Sequence, residues 1–296
     1  MKRFLSVRAH KRMSNVLPFG DRLSCAMAQK GPLCVGVDPH PGLLAQWELE
    51  DTAASLERFA FTILDACGDV SAALKPQVAL FERHGSAGLA VLEKFQAEAA
   101  QQDVLVVADA KRGDIGSTMA AYADAWLGEA SPLATDSVTL SPYLGFESLR
   151  PALDLASKNQ RGTFVLALTS NPEGRSVQHI GGPEKSVAGS IVQAAQRENE
   201  SSAWQNMGPC GLVIGATVGH ALSKLNIDLS TFNGPILSPG YGAQGATADD
   251  LYRVFEGIER QVLVNSSRGV LSAGPHRSGL RDAAQRAAEE LDSASR

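Results

Sequence analysis

The sequence predicts a single α/β domain folded as a (β/α)8, or TIM, barrel. Eight apolar runs of β-type residues alternate with amphipathic helical segments along the chain. The runs are almost continuously apolar, which is typical of parallel strands buried on both faces. A polar residue lies at the end of each run, as expected where the carboxyl ends of barrel strands converge on one rim. Eight units favour a closed barrel over an open doubly wound sheet.

Composition excludes several other classes of protein. The chain has 296 residues, of which 44% are hydrophobic and 20% charged, so it is neither wholly disordered, collagen-like nor a disulfide-stapled miniprotein. Lys and Arg (27) against Asp and Glu (32) give a net charge of −5. This balance predicts neither nucleic acid nor a membrane surface as a partner. No apolar run approaches the ~18–20 residues of a membrane helix.

The cysteines and the N-terminus bear on location and domain limits. Four scattered cysteines form no C-x-x-C pair, so we interpret Cys34 and Cys67, which lie in apolar runs, as small core residues. This usage predicts a reducing compartment and therefore a cytoplasmic protein. Residues 1–12 are basic and contain no acidic residue, and we expect a disordered extension there. The barrel domain is predicted over 13–296.

Each element can be placed in order. The predicted strands are 33–38, 72–75, 104–109, 137–142, 163–169, 211–217, 235–239 and 261–267. The predicted helices are 53–67, 86–101, 117–129, 146–158, 184–198, 218–224, 247–259 and 278–293. In the first helix, Leu56, Phe59 and Ile63 fall at helical spacing and form one apolar stripe. The helix at 218–224 is the shortest.

The polar residues that end the strands predict the position of a site. They are Asp38, Lys75, Asp109, Ser141, Thr169, Thr217, Ser238 and Ser267. A purely structural pattern would scatter polar residues over both ends of the strands. Because active sites of such barrels lie at the carboxyl ends of the strands, we expect these side chains to surround one cavity.

The richest segment is VVADAKRGDIGST, residues 106–118. In an extended strand, Asp109 and Lys111 would face the same side, and Asp114 follows on the loop. Lys75 ends the neighbouring strand and can reach the same space. A structural ring of ion pairs is one interpretation, but such pairs seldom stabilise more than apolar replacements do. We expect no metal, since lysine repels a divalent ion and no histidine ends a strand.

The glycine-rich loop SPGYGAQGAT, residues 238–247, formally matches the dinucleotide fingerprint G-x-G-x-x-G. It follows the seventh strand, however, and the next strand ends without an acidic residue for a ribose. Thr247 with Asp250 is typical of a helix cap instead. Loops after strands seven and eight of such barrels commonly bind phosphate, so the amides near Gly240 and the guanidinium of Arg268 are candidates. A solvated arginine at the rim is the alternative for Arg268.

These motifs together resemble the orotidine 5′-phosphate decarboxylase family, in its longer bacterial branch. The matching segments run in order from Val35 to Gly269 and so cover most of the chain. They are VGVDP (35–39), LKP (74–76), DAKRGDIGST (109–118), TSNP (169–172), SPGYGAQG (238–245) and SRG (267–269).

The resemblance implies a homodimeric barrel enzyme without cofactor or metal. Such an enzyme removes the C6 carboxylate of orotidine 5′-phosphate and yields uridine 5′-phosphate in de novo pyrimidine synthesis. By motif position, Lys111 is expected to protonate C6. Asp109 is expected beside the substrate carboxylate, and Lys75 bridges toward the ribose. Asp114 and Thr118 are expected to enter the site of the neighbouring subunit.

The resemblance also implies the remaining substrate contacts. Asp38 is expected to hold ribose hydroxyls and Ser170 the pyrimidine edge. Gln244, Arg268 and the amides near Gly240 are expected to take the phosphate. Pro239 and Ser267 complete the substrate-binding set. The chain departs from the family in two places: Asn-Ser-Ser precedes the arginine where many members have glycine, and the loop at 172–174 is extended, which bears on Ser170.

Two other functions compete with this one. Another phosphate-binding barrel enzyme, such as a sugar-phosphate epimerase or a metal-dependent decarboxylase, would carry metal ligands at its strand ends. A non-enzymatic nucleotide-binding paralogue would not need the charged set. The presence of Lys75, Asp109, Lys111 and Asp114 argues against the paralogue.

Overall fold

A computed structural model describes residues 17–200, 204–242 and 246–295. Eight parallel strands in this part of the chain form one sheet. They are β1 (Leu33–Val37), β2 (Ala73–Pro76), β3 (Val107–Arg112), β4 (Ser137–Leu140), β5 (Gly162–Leu168), β6 (Cys210–Ile214), β7 (Ile236–Pro239) and β8 (Val262–Ser266). All eight predicted strands are present. The largest difference is β3, which lies three residues later than predicted, so that Lys111 falls within the strand.

The sheet closes on itself. Its strand order is β2-β1-β8-β7-β6-β5-β4-β3, and every neighbouring pair is parallel. The two end strands meet through isolated bridges between Leu74 and Val106 and between Gln77 and Asp109. This closure confirms the predicted (β/α)8 barrel.

Helices surround the barrel, and most lie where the amphipathic pattern predicts them. The α-helices are α1 (Phe19–Lys30), α2 (Pro41–Gln46), α3 (Ala53–Cys67), α4 (Ala79–Glu82), α5 (Gly85–Gln101), α6 (Gly116–Leu127), α7 (Arg150–Lys158), α8 (Arg175–Gln178), α9 (Val187–Glu198), α10 (Gly219–Lys224), α11 (Ala248–Val254), α12 (Arg268–Leu271) and α13 (Arg277–Ala294). Short 3-10 helices occupy Phe146–Leu149, Pro172–Gly174 and Glu259–Gln261. The prediction missed α1, α2, α4, α8 and α12. None of the described helices is long and apolar enough to cross a membrane.

Helix α1 closes the amino-terminal end of the barrel. Phe19 is fully buried and its ring meets that of Phe164 edge-on, with 6.0 Å between centroids. A Cβ on Gly162 would lie 2.0 Å from the Phe19 ring, so only glycine fits at the start of β5. Leu23 and Met27 of α1 join the same interior cluster. Helix α1 therefore fills the amino-terminal end of the barrel, and the barrel can be open only at the carboxyl ends of its strands.

The cysteine prediction is confirmed for the core. Cys34 and Cys67 are fully buried, and burial raises the pKa of each thiol to about 12, so neither is a nucleophile near neutral pH. Cys210 is also buried, Cys25 is exposed, and all four are free thiols. The extension predicted over residues 1–12 lies outside the described part of the chain.

Candidate active site

A cavity of about 790 Å³ lies at the carboxyl ends of the strands. It receives side chains from most of the strands and from the loops that follow them. Eight of the site residues predicted from the sequence line it: Asp38, Lys75, Asp109, Lys111, Pro239, Gly240, Ser267 and Arg268. The predicted rim thus contains one shared pocket large enough for a small ligand.

The charged segment reaches the cavity through an irregular end of β3. The β3–β4 register runs regularly from Val107 to Ala108 and then shifts, so that Arg112 pairs with Leu140. Lys111 lies in this bulge with φ +48°, the left-handed region that residues with a Cβ seldom adopt. The expectation of a simple extended strand is therefore wrong at this residue. Asp109 and Lys111 still face one cavity, because the bulge redirects the lysine.

Asp109 is the centre of the site's hydrogen bonding. Its Oδ2 accepts from Nζ of Lys75 at 3.1 Å and from Nε2 of Gln77 at 3.0 Å. Its Oδ1 accepts from Nζ of Lys111 at 2.5 Å and from the hydroxyl of Thr139 at 3.0 Å. Each carboxylate oxygen thus receives one charged and one neutral donor. This arrangement satisfies the carboxylate of a residue that is only 9% exposed.

The electrostatics keep this cluster charged. Burial alone would raise the pKa of Asp109, but the charges of Lys75 and Lys111 and their hydrogen bonds hold that pKa well below its usual range. Burial alone would lower the pKa of Lys75, but Asp109 and then Asp38 attract its ammonium and raise that pKa above its usual value. A buried carboxylate and a buried ammonium therefore face the cavity together over the ordinary pH range.

Asp38 and Ser267 form the wall beside this cluster. A Cβ on Gly36 would lie 1.9 Å from Oγ of Ser267 and 3.2 Å from Oδ1 of Asp38, so glycine in β1 leaves room for both side chains. Oδ1 of Asp38 and Oδ1 of Asn265 are buried and have no hydrogen-bond partner in the described structure. Both residues line the cavity. Unsatisfied oxygens in this position fit a ligand that offers hydroxyl or amide donors.

The loops after β7 and β8 supply a further part of the wall. Gly240 follows β7 with φ +111°, and Gly242 has φ +70°, so the chain turns where side chains would be strained. Arg268 begins α12, is exposed and lines the cavity. Gln244 lies outside the described residues. The helix cap is confirmed, since Thr247 and Asp250 form a reciprocal capping box at the start of α11.

Arg112 fixes the start of the loop that carries Asp114. Its guanidinium pairs with Glu82 and lies over the rings of Tyr122 and Trp126, at 5.6 and 5.7 Å from their centroids. Asp114 itself is half-buried, and its Oδ1 accepts from the amide of the next residue at 2.8 Å. Its side chain does not line the cavity of its own barrel.

Several other expected residues also lie away from this cavity. Thr118, in the first turn of α6, and Ser170 are exposed and are not among its lining residues, whereas Thr169 is. Of the eight polar strand ends, the expectation is wrong for Ser141, Thr217 and Ser238. Strands β4 and β6 end before the first two of these residues. Ser238 lies between two cavity-lining neighbours in β7 and so faces the other side of the sheet.

Sequence reasoning missed several polar residues of the cavity wall, among them Gln77, Thr139 and Asn265. A period-two pattern could have found Gln77 and Asn265. Gln77 follows Lys75 by two residues, and Asn265 precedes Ser267 by two. Thr139 required knowledge of the bulge, because only there does its hydroxyl reach both Asp109 and Lys111. Among the described residues, no group of three or more His, Cys, Asp or Glu side chains is arranged to hold a metal ion.

The sequence is similar to those of known proteins over almost its whole length. Residues 31–283 match the model of the orotidine 5′-phosphate decarboxylase / HUMPS family. A Streptomyces coelicolor protein named orotidine 5′-phosphate decarboxylase is 53% identical over 278 residues, covering 94% of this chain and 98% of the relative. A Salinispora arenicola protein of the same name is 51% identical, covering 90% of this chain and 95% of that protein.

A solved structure extends the comparison to the fold. The crystal structure of a Streptomyces avermitilis protein named for the same activity matches with a TM-score of 0.90 and 53% identity. It covers 95% of this chain and 97% of that one. The family model, the relatives and the solved structure all span the barrel and the charged cavity. This chain therefore belongs to the orotidine 5′-phosphate decarboxylase / HUMPS family.

Proposed function

We propose that the protein removes the C6 carboxylate of orotidine 5′-phosphate and releases uridine 5′-phosphate and carbon dioxide. The observation that carries this proposal is the Lys75–Asp109–Lys111 array, which faces a cavity that also contains Gly240 and Arg268. The array offers a proton donor to the reacting end of a ligand. The glycine amides and the guanidinium suit a phosphate dianion at its other end.

The chemistry requires a positively charged group close to C6 of the substrate. When the bond from C6 to the carboxylate carbon breaks, its electron pair stays on C6 and the carboxylate leaves as neutral carbon dioxide. The ammonium of Lys111 stabilises the developing negative charge and then transfers a proton from Nζ to C6. The lysine, left as a neutral amine, regains a proton from water before the next turnover.

The other residues hold the substrate during this step. Asp38 would accept hydroxyl donors of the ribose through its unsatisfied Oδ1, and Lys75 would reach the same sugar from β2. Asp109 would lie beside the substrate carboxylate and keep Lys111 directed at C6. Contacts to the phosphate, far from C6, would contribute binding energy that organises the charged groups.

We assign the active form to a homodimer in which Asp114 and Thr118 reach the partner's site. Two features support this assignment. Neither residue lines the cavity of its own barrel, although Asp114 lies only three residues beyond Lys111. The large apolar side chains of Ile115, Tyr143 and Leu144 are also 61%, 79% and 54% exposed, as expected for a surface that a second copy covers.

The two loops that carry these side chains are in contact. The amide of Ser141 donates to the carbonyl of Arg112 at 2.7 Å, and a Cβ on Gly113 would lie 2.2 Å from the Ser141 carbonyl oxygen. Ile115 and Tyr143 therefore lie on neighbouring loops of one rim.

The four free thiols support a cytoplasmic location, where cysteines remain reduced.

The direct test mixes the purified protein with orotidine 5′-phosphate and follows the loss of its ultraviolet absorbance. We expect uridine 5′-phosphate and carbon dioxide in equal amounts, at a rate unchanged by a metal chelator. A folded protein that binds the nucleotide without consuming it would support the non-enzymatic paralogue. Activity lost with the chelator and restored by a divalent ion would support a metal-dependent barrel enzyme.

A further inference from the structure

Thr139 joins the two residues at the centre of the site through one hydroxyl. Its Oγ1 accepts the backbone N–H of Lys111 at 2.9 Å and donates to Oδ1 of Asp109 at 3.0 Å. The residue is 1% exposed and lies in the middle of β4. The same Oδ1 pairs with the ammonium of Lys111. Thr139 thus contacts both the main chain of the lysine and the carboxylate that holds its side chain.

The bulge explains why a side chain is needed here. Val107 and Ala108 pair regularly with β4, but the next registered pair is Arg112 with Leu140. Lys111 lies inside this gap, and its amide donates to the Thr139 side chain. Since φ of Lys111 is +48°, surrounding contacts have to hold a conformation that the residue seldom adopts.

We propose that Thr139 is a positioning residue for Lys111, an inference that rests on the decarboxylase function proposed above. By fixing the amide of Lys111 and one oxygen of Asp109 together, Thr139 sets where Nζ lies in the cavity. Its single hydroxyl proton is donated to Asp109, so the residue acts through the lysine and the carboxylate. Misplacement of a reacting group by about 1 Å lowers turnover far more than it lowers binding.

The chain offers a matched control on the same strand. Ser137 lies two residues before Thr139, is fully buried, and its Oγ has no hydrogen-bond partner in the described structure. It does not line the cavity. Ser137→Ala therefore removes a buried β4 hydroxyl without touching Asp109 or Lys111. Thr139→Val keeps the shape of the threonine and removes its hydrogen bonds, whereas Thr139→Ser keeps the hydroxyl.

The experiment compares kcat, KM and the Kd of uridine 5′-phosphate for the wild type and these three variants. We expect Thr139→Val to lower kcat roughly 10- to 100-fold, with KM and Kd changed less than about threefold. Thr139→Ser should restore most of kcat, and Ser137→Ala should match the wild type. If Thr139→Val does not fold, Thr139→Cys replaces it in the comparison with Thr139→Ser, because a thiol is a weak donor and acceptor.

Three results would overturn the inference. The first is a Thr139→Val enzyme with nearly normal kcat, and the second is equal losses in Thr139→Val and Thr139→Ser. The third is an equal loss in Ser137→Ala, which would indicate a general packing effect. A folded wild type that does not decarboxylate the nucleotide would instead reject the proposed function itself, and the positioning role with it.

Discussion

Nζ of Lys75 lies 3.1 Å from Oδ2 of Asp109, across the seam where the barrel closes. Strands β2 and β3 meet there through two isolated bridges, one of which joins Gln77 to Asp109. The side chains of Lys75 and Asp109 are only 5% and 11% exposed. The ion pair therefore belongs both to the candidate site and to the closure of the barrel.

Asp109→Asn should destabilise the protein as well as inactivate it. The substitution leaves the buried ammonium of Lys75 without its nearest counter-charge, and breaking a buried pair in this way costs roughly 3–5 kcal/mol. Denaturation by urea at pH 7 would measure the loss. Glu289→Gln, which removes an exposed carboxylate on α13, should change the free energy of unfolding by less than about 0.5 kcal/mol.

The loss of unfolding free energy caused by Asp109→Asn should become smaller as the pH falls. The pKa of Asp109 is depressed in the folded protein, so its stabilising contribution is fully present above the unfolded-state value of about 3.9. It is lost as the pH falls toward the folded-state pKa, because the unfolded chain binds the proton first. The difference in unfolding free energy between wild type and variant should therefore narrow below about pH 4. A constant difference from pH 7 to pH 3.5 would contradict the assigned shift.

Lys111→Ala should remove turnover and leave nucleotide binding in place. The side chain of Lys111 is 47% exposed, so its removal costs little packing, and Asp109 keeps its contact with Lys75. A positioned general acid typically contributes ~10²–10⁴-fold to rate. Turnover should fall by at least that factor, while calorimetry should find uridine 5′-phosphate bound within a few-fold of wild type. Lys94→Ala, at an exposed surface pair, is the control, and a Lys111→Ala enzyme with near-normal turnover would refute the assignment.

The sequence predicts the barrel and the charged wall because both depend on local patterns. Continuous apolar runs define buried parallel strands, and the strand ends place Asp38, Lys75 and Asp109 on one rim. Lys111 lies on that rim for a reason that periodicity cannot supply. Its position depends on a bulge in β3 and on a hydroxyl from β4, which are properties of two strands in contact.

Helix α1 was missed for a related reason. Its apolar residues, such as Phe19 and Leu23, are few, and they pack into the end of a closed barrel instead of against the outside of a sheet. Its role therefore follows from the closure of the barrel and not from its own periodicity. The roles expected of Ser170 and Asp114 come from the family motifs and not from a local pattern, because these roles involve a substrate and a second copy of the chain.

Arg268→Ala should weaken discrimination between the nucleotide and its dephosphorylated nucleoside. One charged, bidentate contact to phosphate is worth about 1.5–3 kcal/mol. The ratio of kcat/KM for orotidine 5′-phosphate to that for orotidine should fall by the corresponding factor, on the order of 10- to 150-fold. Arg253→Ala, which removes an exposed arginine on α11, should leave the ratio unchanged. Equal losses on both substrates would show that Arg268 does not serve the phosphate.

Phe19→Ala should lower stability without changing the chemistry. The ring is fully buried between α1 and β5, at the end of the barrel opposite the cavity. Removing such a side chain from a core costs about 3–5 kcal/mol. Thermal and urea denaturation would measure that loss against Leu17→Ala, which truncates a side chain that is 44% exposed. Turnover per folded molecule should match the wild type. A selective loss of kcat would show that Phe19, at the amino-terminal end of the barrel, also affects the active site.

The proposal that Asp114 reaches the active site of the partner subunit can be tested with mixed dimers. A two-fold interface is reciprocal, so a chain that gives Asp114 to its partner also receives one. Chains carrying Lys111→Ala and chains carrying Asp114→Asn should each form nearly inactive homodimers. In a hybrid, the barrel that keeps Lys111 receives the intact Asp114 of the other chain, and the second barrel contains both defects. Random reassortment makes about half of the dimers hybrid, so roughly a quarter of wild-type activity should return.

The mixing experiment separates this arrangement from a site completed within one chain. If Asp114 served its own barrel, every barrel in every dimer would carry one of the two substitutions, and mixing would restore nothing. Two different affinity tags would establish that hybrids have formed, and wild-type chains taken through the same dissociation would give the recoverable activity. Confirmed hybrids without regained turnover would place Asp114 in its own barrel. Regained turnover requires that the residue cross the interface, because no other combination of these chains contains an intact site.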